Sequence, residues 1–148
     1  MSDFSKIIGA GRSRVVIMTK TQLDMIGLVA SDLPKTLAFY RTLGLDIPEG
    51  ADQEPHAEVT LPSGLRLAWD NLEVIRSMDP DWQPSPPGSG PSLAFLCASP
   101  AEVDAMYATL TGQGHTGHLE PWDAFWGQRY AVVFDPDGTT VDLFAALG

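Results

Sequence analysis

A chain of 148 residues with 44% hydrophobic content is large enough to bury a proper core and fits one globular domain. Its formal net charge of −10 excludes nucleic acid as a partner, because phosphate binding needs clustered Lys and Arg. No apolar run approaches the roughly 20 residues of a membrane span, which excludes a helical membrane protein.

Residues 1–21 read as a weakly anchored tail, in which Gly9-Ala10-Gly11 precedes a short Val15-Val16-Ile17-Met18 run suited to an edge strand. The start lacks the long apolar stretch of a signal peptide, and the single cysteine, Cys97, suits a reducing compartment; the expected location is the cytoplasm. Residues 23–30 are apolar and β-compatible. Asp32 then caps a helix in which Leu33, Leu37, Tyr40 and Leu43 recur at helical spacing, with Pro34 tolerated in its first turn and Gly44 ending it. Residues 58–61 and 65–70 read as two short strands around the turn Pro62-Ser63-Gly64, and residues 72–78 as a helical turn.

Residues 79–91 are dense in proline, glycine and serine, the composition of a linker. After it the same order restarts. Residues 92–98 read as a strand, and Ser99-Pro100-Ala101-Glu102 combines an N-cap, a first-turn proline and a capping-box glutamate. That helix runs to about Leu110 and stops at Gly112 or Gly114. Residues 122–127 read as an aromatic loop. The strand after it puts Gln128, Tyr130, Val132 and Phe134 on one face and Arg129, Ala131 and Val133 on the other. Asp135-Pro136-Asp137-Gly138 supplies a tight turn. The last strand sets Thr140, Asp142 and Phe144 against Val141, Leu143 and Ala145, and the second set suits packing under a helix. Moving 67 positions along, Ala38, Tyr40, Thr42 and Leu43 land on Ala105, Tyr107, Thr109 and Leu110, and Asp32 lands on Ser99, cap on cap. A tandem duplication follows: module one at 22–78, a linker at 79–90 and module two at 91–147.

The segment from Ser31-Asp32-Leu33-Pro34 through Tyr40 and Leu43-Gly44-Leu45, with Trp126-Gly127-Gln128-Arg129 and Asp135-Pro136-Asp137-Gly138, resembles the vicinal oxygen chelate superfamily of glyoxalases, extradiol dioxygenases and bleomycin-resistance-type proteins. The likeness covers residues 23–147. It implies an α+β fold of two tandem βαβββ modules forming a curved mixed sheet around a cup-shaped cavity, with a homodimer as the usual assembly. Metal-using members draw ligands from the first and last strand of each module. Those places fall here on Met25, on Ala68 or Arg66, on Ser92 and on Asp142. Only Asp142 is an ordinary ligand, and a thioether, a hydroxyl and one carboxylate suit zinc, iron or manganese poorly.

The remaining candidates are weighed one by one. His115 and His118 fall in a connecting segment away from the ligand strands, His56 precedes a strand, and Glu58, Asp70 and Glu120 read as solvated. Trp69 has the parity of a core residue, and Cys97 shares its parity with Leu93 and Phe95, which makes it a packing residue. Trp122, Phe125, Trp126, Tyr130 and Phe144 offer large flat surfaces, with Arg66 and Asp142 as polar anchors. Arg66 and Asp142 are expected to bridge the place where relatives hold their ion, directly or through a water. The expected function is binding without cofactor or metal of a small, partly aromatic molecule, such as a natural product or antibiotic. The alternative is a lyase, isomerase or dioxygenase of the superfamily that uses a divalent ion.

Overall fold

The computed structural model describes residues 20–148; the expected tail strand lies outside the described residues. In chain order the elements are β1 (Met25–Val29), α1 (Leu33–Thr42), a 3-10 helix (Glu49–Gln53), β2 (His56–Thr60), β3 (Arg66–Asp70), α2 (Leu72–Met78), β4 (Leu93–Leu96), α3 (Pro100–Gly112), β5 (Gly117–Ala124), β6 (Gln128–Phe134) and β7 (Thr140–Ala146). This is a mixed α+β architecture of two modules. Module one forms a three-stranded sheet in the order β1-β3-β2, and module two a four-stranded sheet in the order β4-β7-β6-β5. In each, the first strand lies parallel to the last, and the helix between makes the crossover.

Both helices start where their caps predict. The side chain of Asp32 accepts from the Lys35 amide and that of Ser99 from the Glu102 amide, each before a proline in the first turn. The duplication is visible in the strand register. Gly27 pairs with Ala68 in module one and Ala94 with Asp142 in module two. The partner of Asp142 in module one is therefore Ala68, not Arg66. The halves differ between their crossover helix and their antiparallel strands. Where module two has β5 beside β6, module one has the 3-10 helix before β2.

Alternation along the strands sends Leu67 and Trp69, and Val141, Leu143 and Ala145, into one core with Leu33, Leu37, Phe39 and Tyr40 of α1 and Val103 and Leu110 of α3. Trp69 is fully buried, as its parity predicts, and Cys97 packs against the same core. The opposite face of each sheet, away from the core shared with α1 and α3, is the inner face of the curved sheet.

The modules are joined through the turn between β6 and β7. The Tyr40 hydroxyl donates to buried Asp135 at 2.8 Å, and the Ser31 amide donates to both carboxylate oxygens of Asp137 at 3.0 and 3.2 Å. Phe39 packs edge-on to His115 at 4.8 Å, which ties the segment after α3 to α1. The linker is tied down as well: the Gly88 amide donates to the Gly138 carbonyl at 3.0 Å.

Candidate ligand-binding site

The aromatic surface is built by the β5–β6 hairpin and β7. Residues 122–127, expected as a loop, are mostly strand: β5 runs to Ala124 and only Phe125-Trp126-Gly127 turns, with Gly127 at φ +89°. The reason is a bulge. Leu119 pairs with Val132 and Trp122 with Tyr130, three steps against two, so one residue in the Glu120-Pro121 region is looped out. Pro121 has no amide to donate, and a bulge is where a strand tolerates that. The extra residue restores parity and brings Trp122 onto the inner face beside Tyr130.

There the rings meet edge to face. Trp122 and Tyr130 are 5.4 Å apart between centroids, Trp126 and Tyr130 5.3 Å, and Trp122 and Trp126 6.1 Å. Phe144 stacks on Tyr130 at 6.3 Å across the β6–β7 pair. Phe125 touches Trp126 at 5.1 Å but is 98% exposed, a rim residue that buries nothing in the monomer. Trp126 is half exposed and its indole N–H donates to Gln128 at 2.8 Å, which fixes the ring's orientation.

Asp142 lies in this wall. Its Oδ2 accepts from the Tyr130 hydroxyl, while its Oδ1 is covered from solvent and has no hydrogen-bond partner. Burial, and then the neighbouring carboxylate, push the Tyr130 phenol up to about 12, so it stays a neutral donor throughout the physiological range. Of the seven residues expected to form the site, six are brought together here: Trp122, Phe125, Trp126, Tyr130, Asp142 and Phe144.

Arg66 is the exception, and the expected bridge to Asp142 is absent. Its guanidinium donates to Asp24 at 2.5 Å and to both oxygens of Glu58 at 3.1 and 3.2 Å. Carboxylates within its own module are simply nearer. Glu58 also accepts from His56, whose other ring nitrogen meets Asp70 at 2.6 Å. His56 and Asp70 are directly paired across β2 and β3, and Glu58 and Arg66 follow on the same face. His56 and Glu58 are exposed, as a solvated reading expects, but with Asp70 they are also tied into one ion-paired cluster. The sequence signal for the pairing is their common parity, His56 and Glu58 against Arg66 and Asp70, on strands joined by a short turn. The result is a five-residue ionic clasp on the inner face of module one.

The four places where relatives hold a metal do not fit one. Met25 offers a thioether, Ala68 nothing, Ser92 a hydroxyl, and Asp142 one carboxylate already engaged by Tyr130. Among the described residues no group of three or more His, Cys, Asp or Glu is disposed to hold an ion. A separate cleft of about 280 Å³ opens between β1, the linker at Trp82 and residues 84–86, and the turn at Asp137-Gly138-Thr139. It shares no residue with the aromatic wall.

Two modules, each with a parallel first and last strand, and a site on the inner sheet face define a paired-module binding or catalytic fold. A family model for the Glyoxalase/Bleomycin resistance protein/Dioxygenase superfamily matches residues 22–143, and the chain belongs to that superfamily, the vicinal oxygen chelate proteins. No curated protein matches it. Among solved structures, it is similar to a glyoxalase/bleomycin resistance protein/dioxygenase from Nocardioides, with 27% identity over 89% of this chain and 87% of that one, at a TM-score of 0.62. A family enzyme from Burkholderia phytofirmans PsJN shares the fold at 17% identity, covering 86% of this chain and 100% of that one, with a TM-score of 0.72. A glyoxalase-related enzyme from Fulvimarina pelagi does so at 22% identity, 85% and 88% coverage and a TM-score of 0.71.

Proposed function

We propose that the protein binds a small aromatic molecule on the inner face of module two, without a metal ion and without turning it over. The observation that carries this reading is the solvent-facing wall of Trp122, Trp126, Tyr130 and Phe144 around Asp142. Large rigid rings give contact area at low conformational cost, and their edge-to-face packing keeps the surface preformed. Binding is stoichiometric, as in sequestration of a natural product or antibiotic in the cytoplasm. The homodimer remains part of the proposal; exposed Leu23, Leu96 and Phe125 are available for burial between copies.

The test is a fluorescence titration with planar aromatic compounds. A ligand on the wall quenches tryptophan emission, and Trp126→Ala weakens its binding by about 1–3 kcal/mol, the range for a central aromatic contact. Unchanged affinity with a large loss of stability would show that Trp126 is core and end the reading.

A further inference from the structure

We propose that the ligand carries a cationic amine, amidine or guanidine beside its flat apolar body, and that Asp142 is its anchor. The inference rests on the binding function proposed above and names the chemistry the site selects. Asp142 stands on the inner face with Val132 and Ala94 as its cross-strand neighbours and Phe144 two residues on. None of these compensates a charge. Tyr130 satisfies Oδ2, and Oδ1 has no donor. A carboxylate oxygen taken from water without a partner is costly, so a ligand that supplies one gains more than an ordinary surface contact would give.

Three arginines are already engaged by other carboxylates. Among the described residues, Arg41 is paired with Asp52, Arg66 with Asp24 and Glu58, and Arg129 with Asp104 and Asp123. Among the described residues none donates to Asp142 Oδ1, and that oxygen is left for a ligand to satisfy. Three features favour a cation over a neutral donor. A carboxylate binds a charged donor more strongly than an uncharged one. The surrounding ring faces attract a cation through their quadrupoles. A chain of net charge −10 also concentrates cations at its surface and repels anions. Asp142 as a residue is only partly buried, while Oδ1 itself is covered from solvent, so binding requires the atoms over Oδ1 to move aside. Tyr130 acts as a positioning residue, holding the carboxylate by its other oxygen.

Three probes of one shape decide the matter: 1-naphthylmethylamine, 1-naphthylmethanol and 1-naphthoate, each titrated calorimetrically at neutral pH. The amine is expected to bind at least about tenfold more tightly than the alcohol, and the naphthoate more weakly than either. Asp142→Asn, which keeps an acceptor for Tyr130, is expected to remove the preference by lowering amine affinity to that of the alcohol. In the unaltered protein, the Asp142 carboxyl carbon resonance is expected to shift with the amine and not with the alcohol, a readout independent of how any variant folds. Equal affinity for amine and alcohol, a preference that survives Asp142→Asn, or an unmoved carboxyl resonance would overturn the cationic anchor while leaving the aromatic site standing. Failure of all three probes to bind would remove both readings.

Discussion

Asp135 is the buried carboxylate on which the junction of the modules depends. It is 3% exposed, and its oxygens accept from the Tyr40 hydroxyl and from the amides of Asp137 and Thr139 at 2.9 and 3.0 Å. Burial raises its pKa even so, and burial together with Asp135 pushes the Tyr40 phenol far above its usual value. Tyr40→Phe leaves one oxygen without its donor and is expected to cost about 1–3 kcal/mol in chemical denaturation. The clasp of module one makes a prediction of another kind. The hydrogen bond to Glu58, followed by those to Asp70, raises the His56 pKa, and the His56 bond, followed by Arg66, lowers that of Glu58. Stability from His56 is fully present below its unfolded value near ~6.5 and is lost as pH rises through the raised folded value. Stability from Glu58 is present above its unfolded value near ~4.3 and is lost as pH falls through the lowered one. The melting temperature should therefore hold a plateau between the two and fall on either side. His56→Gln should flatten the upper decline in calorimetry across pH; an unaltered profile would mean the imidazole is effectively solvated.

At the level of elements, the turn between β6 and β7 does more than reverse the chain. Gly138 has φ +87°, and a Cβ there would stand 3.0 Å from the Pro87 backbone of the linker. Gly138→Ala is expected to destabilise by about 1–2 kcal/mol from the left-handed backbone alone, with the crowding against Pro87 adding to it. Thermal melts of the variant check this, and a neutral result would mean that the linker lifts away freely. The turn was legible in the sequence because Asp-Pro-Asp-Gly has one favoured use. So were both helices, through cap and proline, and the inner face of β6 and β7, through simple alternation. β5 was hidden because Pro121 and the bulge break the period on which strand recognition depends. The aromatic set was still found, since Tyr130, Asp142 and Phe144 sit on regular strands. The partner of Arg66 was misjudged for a different reason: parity fixes which face a side chain takes but not which carboxylate across that face is nearest.

On the scale of the whole molecule, the places that the resemblance assigns to a metal carry Met25, Ala68, Ser92 and Asp142, a set that suits a divalent ion poorly. Addition of zinc, iron, nickel or manganese should leave the melting temperature unchanged, because an ion that binds only the folded state must raise it. A stoichiometric ion bound through Asp142 would favour the metal-dependent lyase, isomerase or dioxygenase instead. The register equivalence of Ala68 and Asp142 has a consequence for stoichiometry. A duplicated chain carries a pseudo-twofold axis, and perfect repetition would give two equivalent anchors. Here one half holds a carboxylate in an aromatic wall, and the other holds a methyl group beside an ionic clasp, with a 3-10 helix at the chain position of β5. The axis relates the scaffolds and not the sites. If the proposed site binds, each chain is expected to take one ligand, and a titration should show a saturation curve free of the second, weaker phase that a symmetric pair of half-sites would produce.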